Sequence, residues 1–388
     1  MFMKRDGQAG AMPLLRRLVS INSVFPHERQ LALFAAAHLK RCGCSVRLQE
    51  FAPGRHNVIA QKGRREGAVL LTSHLDTVPP YNYGKRDPFS LKEEAGRMRG
   101  LGAWDMKAGL ALVLRCAEEC TPGKKGLRIV LTADEENISE GTWFAKKQGE
   151  FSNCSAAICH EIPDAIRPPR AGERPPIILG RRGRCVYRFS VNGVGAHAAG
   201  DGGKSALVLA MRLAAALEAI PMPDGKTGPC RLFVRKFSSE SRSLSVPTEA
   251  VLEADVHYVP PFTKESFLSH IRRSLARAKF SVPSGCSWGV EIPARKTPYL
   301  PAYEIRKESP SAARFLSAYK KHIGSYALSY GLTVADENVL STEGKRMPII
   351  TVGLEGGSAH SAGEWVSKKD YLLLWARMPK IVQEMLDG

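Results

Sequence analysis

Three strand-sized apolar runs in the first 160 residues each end at a residue able to bind a metal or carry a proton. They are residues 68–73 (AVLLTS) before His74, 127–133 (LRIVLTA) before Asp134, Glu135 and Glu136, and 155–160 (SAAICH) before Glu161. Short, nearly unbroken apolar runs are the mark of strands covered on both faces. Helix-like stretches lie between and around them, at 29–41, 105–120 and 309–323, with a further helix from Asp370. Strand-like segments also occur at 45–51, 57–61 and 348–352. This alternation predicts an α/β fold, a mostly parallel sheet with helices on both faces.

A chain of 388 residues is long for a single core, so two domains are expected. Residues 163–179 hold five prolines and read as a linker. Beyond it the pattern changes to strand 185–192, helix 203–219, strands 230–236 and 250–258, helix 264–279 and strand 286–292. A stretch at 297–302 then leads back to the first pattern. The expected division is 1–179 and 296–388 for the larger domain, with 180–295 as a smaller inserted α+β domain.

The net charge of +18 comes partly from basic clusters at 61–65, 167–184 and 271–279. Clustered Lys and Arg attract phosphate chains, so a non-catalytic polyanion-binding scaffold is one alternative. Aromatic residues make up only 7% and no nucleic-acid motif accompanies the charge. A solvated basic surface that favours anionic substrates is preferred. No apolar run approaches the ~20 residues of a membrane span. The N-terminal stretch has basic residues but no signal-length apolar block, and the nine cysteines form no CxxC pair. Together these predict a cytoplasmic protein without a disulfide framework.

The chemistry-bearing residues follow the strand ends, where open α/β sheets bind ligands. His74 and Asp76 are two apart, so one imidazole nitrogen could ligate a metal while the carboxylate accepts from the other; alone, the pair also fits a solvated turn. Asp105 follows a Gly-rich turn and could bridge two cations, or simply cap the helix predicted at 105–120. Three consecutive acids, Asp134 to Glu136, repel unless something positive compensates. Glu135 and Glu136 could divide proton handling and metal binding, with Asp134 structural. Glu161 ends an apolar strand and needs a partner, while neighbouring His160 should point the other way. His360 lies in the Gly/Ser-rich loop LEGGSAHSAGEWVS, where glycines permit close backbone approach.

The ordered motifs SHLDTVP, DPFS, GLGAWDMKAG, TADEEN, Glu161, GRRG, GVGAHAA and GGSAHSAGEWV resemble a known family over nearly the whole chain. It is the zinc-dependent family of aminoacylase, acetylornithine deacetylase, succinyl-diaminopimelate desuccinylase and glutamate carboxypeptidase. The resemblance implies a zinc-peptidase-like catalytic domain with an inserted lid and dimerisation domain, and hence a homodimer. It implies two Zn²⁺ per chain, replaceable by Co²⁺ or Mn²⁺, with Asp105 bridging, His74 and Glu161 completing one site, and Glu136 and His360 the other. Glu135 would be the general base and acid, and Asp76 would orient His74. His197 would reach a neighbouring subunit's site to stabilise the oxyanion, and the Asp105–Met106 peptide would be cis. The implied reaction is carboxypeptidase- or dipeptidase-like cleavage of the amide bond of a short peptide or N-acylated amino acid, with an acetylornithine deacetylase-like deacylase of N-acyl amino acids as the alternative. Arg181 and Arg182 are candidates for gripping a substrate carboxylate, or else linker-surface charges. The sequence departs from the family at Leu101 and His257, where Arg is usual, and at Leu244, where Asn is usual; the last two changes bear on substrate choice.

Overall fold

A computed structural model describes residues 10–166, 169, 173–225, 228–241, 243–343 and 347–388. The N-terminal segment up to residue 9, and residues 167, 168 and 170–172 of the expected linker, lie outside the described residues. The chain divides into two compact units, Met1–Gly180 with Glu304–Gly388, and Arg181–Tyr303.

The first unit is built on a nine-stranded sheet. Its centre is four parallel strands in the order Leu127–Thr132, Val69–His74, Ala156–Cys159, Ile349–Thr351. Every residue in these four strands is buried, as expected where helices cover both faces. Leu71 aligns with both Ile129 and Ile158, and Ile350 with Ile158. The antiparallel hairpin Ser45–Ala52 and Arg55–Lys62 extends one side of the sheet. Because the central strands are parallel and nearly in register, their C-terminal ends fall along one edge: His74 pairs with Thr132, and Thr351 with Cys159.

The structure corrects two local expectations. Ile177–Arg181 is a strand paired antiparallel to Ile349–Thr351, so the proline-rich linker ends before it. The prolines at 175 and 176 stop just short of the pairing residues, where a missing N–H removes no ladder bond. The helix expected from Asp105 runs instead over Ala108–Glu119. A tight turn, Ala103–Lys107, precedes it, and Asp105 (φ −113°, ψ 86°) and Met106 (φ −142°, ψ 47°) leave helical geometry there. The Asp105–Met106 peptide is cis. Asp105 therefore does not cap the helix. Helices Ala11–Ser20, Glu140–Lys147 and Asp336–Leu340 also belong to this unit and had no expectation attached.

The second unit is an antiparallel sheet in the order Arg231–Ser239, Glu249–Tyr258, Gly183–Asn192, Ser287–Glu291. Alternation is clear: Cys185, Tyr187, Phe189 and Val191, with Leu252, Ala254 and Val256, pack against helices Ala206–Glu218 and Lys264–Arg277. The other face carries Arg184, Arg188, Glu253 and Asp255 in ion pairs. All nine cysteines are free. Among the described residues no helix is long and apolar enough to cross a membrane.

Candidate metal centre

Five of the expected side chains meet at the C-terminal edge of the parallel strands. His74, the last residue of its strand, places Nε2 3.0 Å from Asp105 Oδ1 and 3.6 Å from Glu161 Oε2. His360 Nε2 lies 3.3 Å from Asp105 Oδ2 and 3.0 Å from Glu136 Oε2. The two Asp105 oxygens thus face two different imidazoles. Donor atoms of His74, Asp105 and Glu136 lie within 4.8 Å of one another.

The backbone explains how each side chain arrives. Gly102 has φ +72°, and a Cβ there would come within 2.5 Å of Thr77 Cγ2, so this turn before Asp105 accepts only glycine. His360 adopts φ +61° in its Gly/Ser-rich loop. Asp134 adopts φ +80° and turns the chain sharply after its strand, which brings Glu135 and Glu136 to the edge. Asp134 is held by Arg55 Nη1 at 2.8 Å and accepts the Glu140 N–H at 2.9 Å, consistent with a structural role. Asp76 meets His74 otherwise than its spacing implied: the main-chain oxygen, not the carboxylate, is the hydrogen-bond partner of the ring. His74 Nδ1 lies 3.0 Å from the Asp76 main-chain oxygen and 3.6 Å from Oδ1, while the carboxylate accepts the N–H groups of Glu135 (3.2 Å) and Glu136 (3.0 Å). His160 is buried with Nδ1 3.3 Å from the Val352 oxygen, and burial lowers its pKa to about 4. Its hydrogen-bond partner is thus a main-chain oxygen and not one of the acids.

Electrostatics tie the cluster together. Burial alone would lower the His74 pKa, but the Glu161, Asp105 and Asp76 carboxylates outweigh it and raise it. The Asp105 and Glu136 carboxylates push His360 up to about 10. Burial raises Asp105, but hydrogen bonds from His360 and His74 prevail and hold it low. Glu135 is raised, first by burial and then by the Glu161 and Glu136 charges. Burial and the Asp105 charge raise Glu136.

These residues suit divalent metal. Four acids converge on two imidazoles, and a cation would relieve their repulsion. Glu136 Oε1 is buried with no hydrogen-bond partner. The Asp76 main-chain acceptor fixes the proton on His74 Nδ1 and leaves Nε2 as a lone-pair donor. Nitrogen and oxygen donors without sulfur suit Zn²⁺, Co²⁺ or Mn²⁺.

Sequence reasoning missed Glu364. This buried carboxylate accepts the N–H groups of Gly102 (2.9 Å), Trp104 (2.8 Å) and Asp105 (3.0 Å). Its signal was available: an acid set between glycine and tryptophan, four residues after His360 in the same motif. Arg55, paired to both Glu28 and Asp134, gave no local signal.

Of the remaining residues singled out in the sequence, all but Leu101 lie in the second unit. Arg181 and Arg182 are buried, unlike linker-surface charges. His197 is exposed, and its Nδ1 accepts the Ala199 N–H at 3.2 Å. Leu244 is exposed, its carbonyl accepting the Ala198 N–H at 2.8 Å, so this departure lies beside His197. His257 Nε2 is 3.6 Å from Asp255 Oδ1, and burial lowers its pKa against that carboxylate. Leu101 is buried in the first unit, its N–H donating to the Pro88 oxygen.

Residues 70–384 match the family described as Peptidase family M20/M25/M40. A succinyl-diaminopimelate desuccinylase from Methylorubrum extorquens is 27% identical over 92% of this chain and 94% of its own. An acetylornithine deacetylase from Vibrio atlanticus is 40% identical, over 27% of this chain and 29% of its own. The aminopeptidase PepT from Bacillus cereus shares the fold with a TM-score of 0.77 at 18% identity, covering 97% of this chain and 98% of that one. So does the YXEP protein of Bacillus subtilis, described as a dinuclear metal binding peptidase from the M20 family, with a TM-score of 0.68 at 15% identity, covering 98% of this chain and 99% of that one. With a family match running from the first metal-centre strand into the terminal helix, this chain belongs to the M20/M25/M40 peptidase family of hydrolases.

Proposed function

We propose that this hydrolase is a dinuclear zinc enzyme cleaving the amide bond of a small N-acylated amino acid or short peptide. The observation that carries this reading is Asp105, whose two oxygens face His74 on one side and His360 on the other. His74, Asp105 and Glu161 would hold one ion, and Asp105, Glu136 and His360 the second. Ions bound there supply Lewis acidity and activate water near neutral pH.

The chain's own groups do the rest. Glu135 sits beside the ligand Glu136 on the turn fixed by Asp76, placed to take a proton from the attacking water and return it to the leaving nitrogen. Because His197 Nδ1 accepts a main-chain N–H, Nε2 is the ring nitrogen left to donate to an oxyanion. We take Arg181–Tyr303 to be the lid and dimerisation domain of a cytoplasmic homodimer, with His197 serving a neighbouring subunit. Arg181 and Arg182 would grip the substrate carboxylate.

Within this chemistry, deacylation is favoured over peptide cleavage by the sequence relatives named desuccinylase and deacetylase. The test is hydrolysis of N-acetyl and N-succinyl amino acids against free dipeptides, by metal-stripped protein and after adding Zn²⁺, Co²⁺ or Mn²⁺. Metal-restored cleavage of any member supports the hydrolase reading, and the preferred member chooses the branch. Cleavage that survives complete metal removal would sink it.

A further inference from the structure

A second group of donors lies in the first unit, outside the hydrolytic centre. His38 is in the last turn of helix Arg29–Arg41, and Cys42 follows it by four residues, so both face the same side. Glu118 comes from the last turn of Ala108–Glu119, which packs beside that helix. One donor atom from each of the three lies within 4.8 Å of the others, and His38 Nε2 is 2.9 Å from Glu118 Oε1. We propose that His38, Cys42 and Glu118 form a separate site for a divalent transition metal of the Zn²⁺ or Co²⁺ type.

The donor set carries the choice of ion. Thiolate, imidazole and carboxylate together match zinc-type ions and disfavour Ca²⁺ or Mg²⁺, which take oxygen. His38 is buried, Cys42 half-buried and Glu118 exposed, so the site is walled on one side and open to solvent on the other, leaving a coordination position for water. Nearby cations are already engaged. Arg115 Nη1 holds the other Glu118 oxygen at 3.2 Å, which leaves Oε1 facing His38. Lys62 Nζ donates to the Ala117 and Cys120 carbonyls that end the second helix. Arg41 Nη2 lies 3.5 Å from His38 Nδ1, at the outer limit of a hydrogen bond. Ligation through Nε2 moves the imidazole proton to Nδ1, and exposed Arg41 swings aside. Metal here would pin together the C-terminal ends of two helices, one of which starts just after Asp105.

Co²⁺ titration of the full chain, followed by thiolate-to-cobalt charge-transfer absorption, tests this. The expected hydrolytic ligands offer only nitrogen and oxygen, so a sulfur band reports the second site independently of whether that centre fills or turns over. The expected result is one sulfur-ligated cobalt per chain, a band lost in Cys42→Ala, and affinity about tenfold or more weaker in Glu118→Gln, the scale seen when metal-site partners are removed. Hydrolysis and metal-free thermal unfolding should be unchanged in Cys42→Ala. No thiolate band in the wild type, or one that persists in Cys42→Ala, would overturn the proposal and leave His38 and Glu118 as an ordinary ion pair.

Discussion

Glu364 holds Asp105 by its main chain: Oε1 accepts the Asp105 N–H at 3.0 Å and the Trp104 N–H at 2.8 Å, while Oε2 takes the Gly102 N–H. The carboxylate that faces both imidazoles therefore stands on a turn clamped by a second, buried carboxylate. Glu364→Gln would put an NH₂ where two acceptor oxygens are needed, against three N–H donors. Metal affinity should fall about 10- to 100-fold, as for other residues that support ligands, and isothermal titration with Zn²⁺ would measure it. Wild-type affinity would mean the turn keeps its shape unaided.

Glu135→Gln removes the proposed proton acceptor but leaves all five expected ligands. Metal content should match the wild type while kcat drops by about 10²- to 10⁴-fold, the usual range for a lost general base. A variant that retains turnover would remove Glu135 from this role.

His197→Ala tests the second unit's contribution. An oxyanion donor acts on the transition state, so kcat should fall about 10²- to 10³-fold with little change in KM. A change confined to KM would make His197 a substrate-binding residue instead.

Arg55 is only slightly exposed and pairs with Glu28 and Asp134, both buried. Its guanidinium also lies 4.6 Å from the Phe25 ring centre. Arg55→Met strands two buried carboxylates and should cost about 3–5 kcal/mol in denaturant unfolding. A loss below about 1 kcal/mol would show that water or another cation replaces it.

Asp255 predicts the acid behaviour of the second unit. Burial raises its pKa, but the two-pronged contact with Arg184 prevails and lowers it. A carboxyl depressed in the folded state binds fewer protons folded than unfolded. Its stabilisation is therefore full above the ordinary Asp value of about 4 and is lost as pH falls through the lower native value. Asp255→Asn should flatten that part of the acid-side decline in thermal stability. An unchanged slope would place the loss elsewhere.

Much of this protein was legible in one dimension. The buried strands announced themselves by apolar runs, and His74, the acids at 134–136 and Glu161 by sitting where those runs stop, because strand burial and strand ends are local properties. Sequence could not say that Asp105 leaves the helix it precedes. Its turn is fixed by Glu364, 259 residues later. Nor could it say that the Asp76 carboxylate holds the acidic turn, or that Arg55 anchors it. Such roles depend on partners far apart in the chain that buried polar groups find only once the sheet has formed, since each must then be matched by an opposite charge or a hydrogen bond. Sequence determined which residues could do chemistry; the tertiary structure decided which atoms face one another.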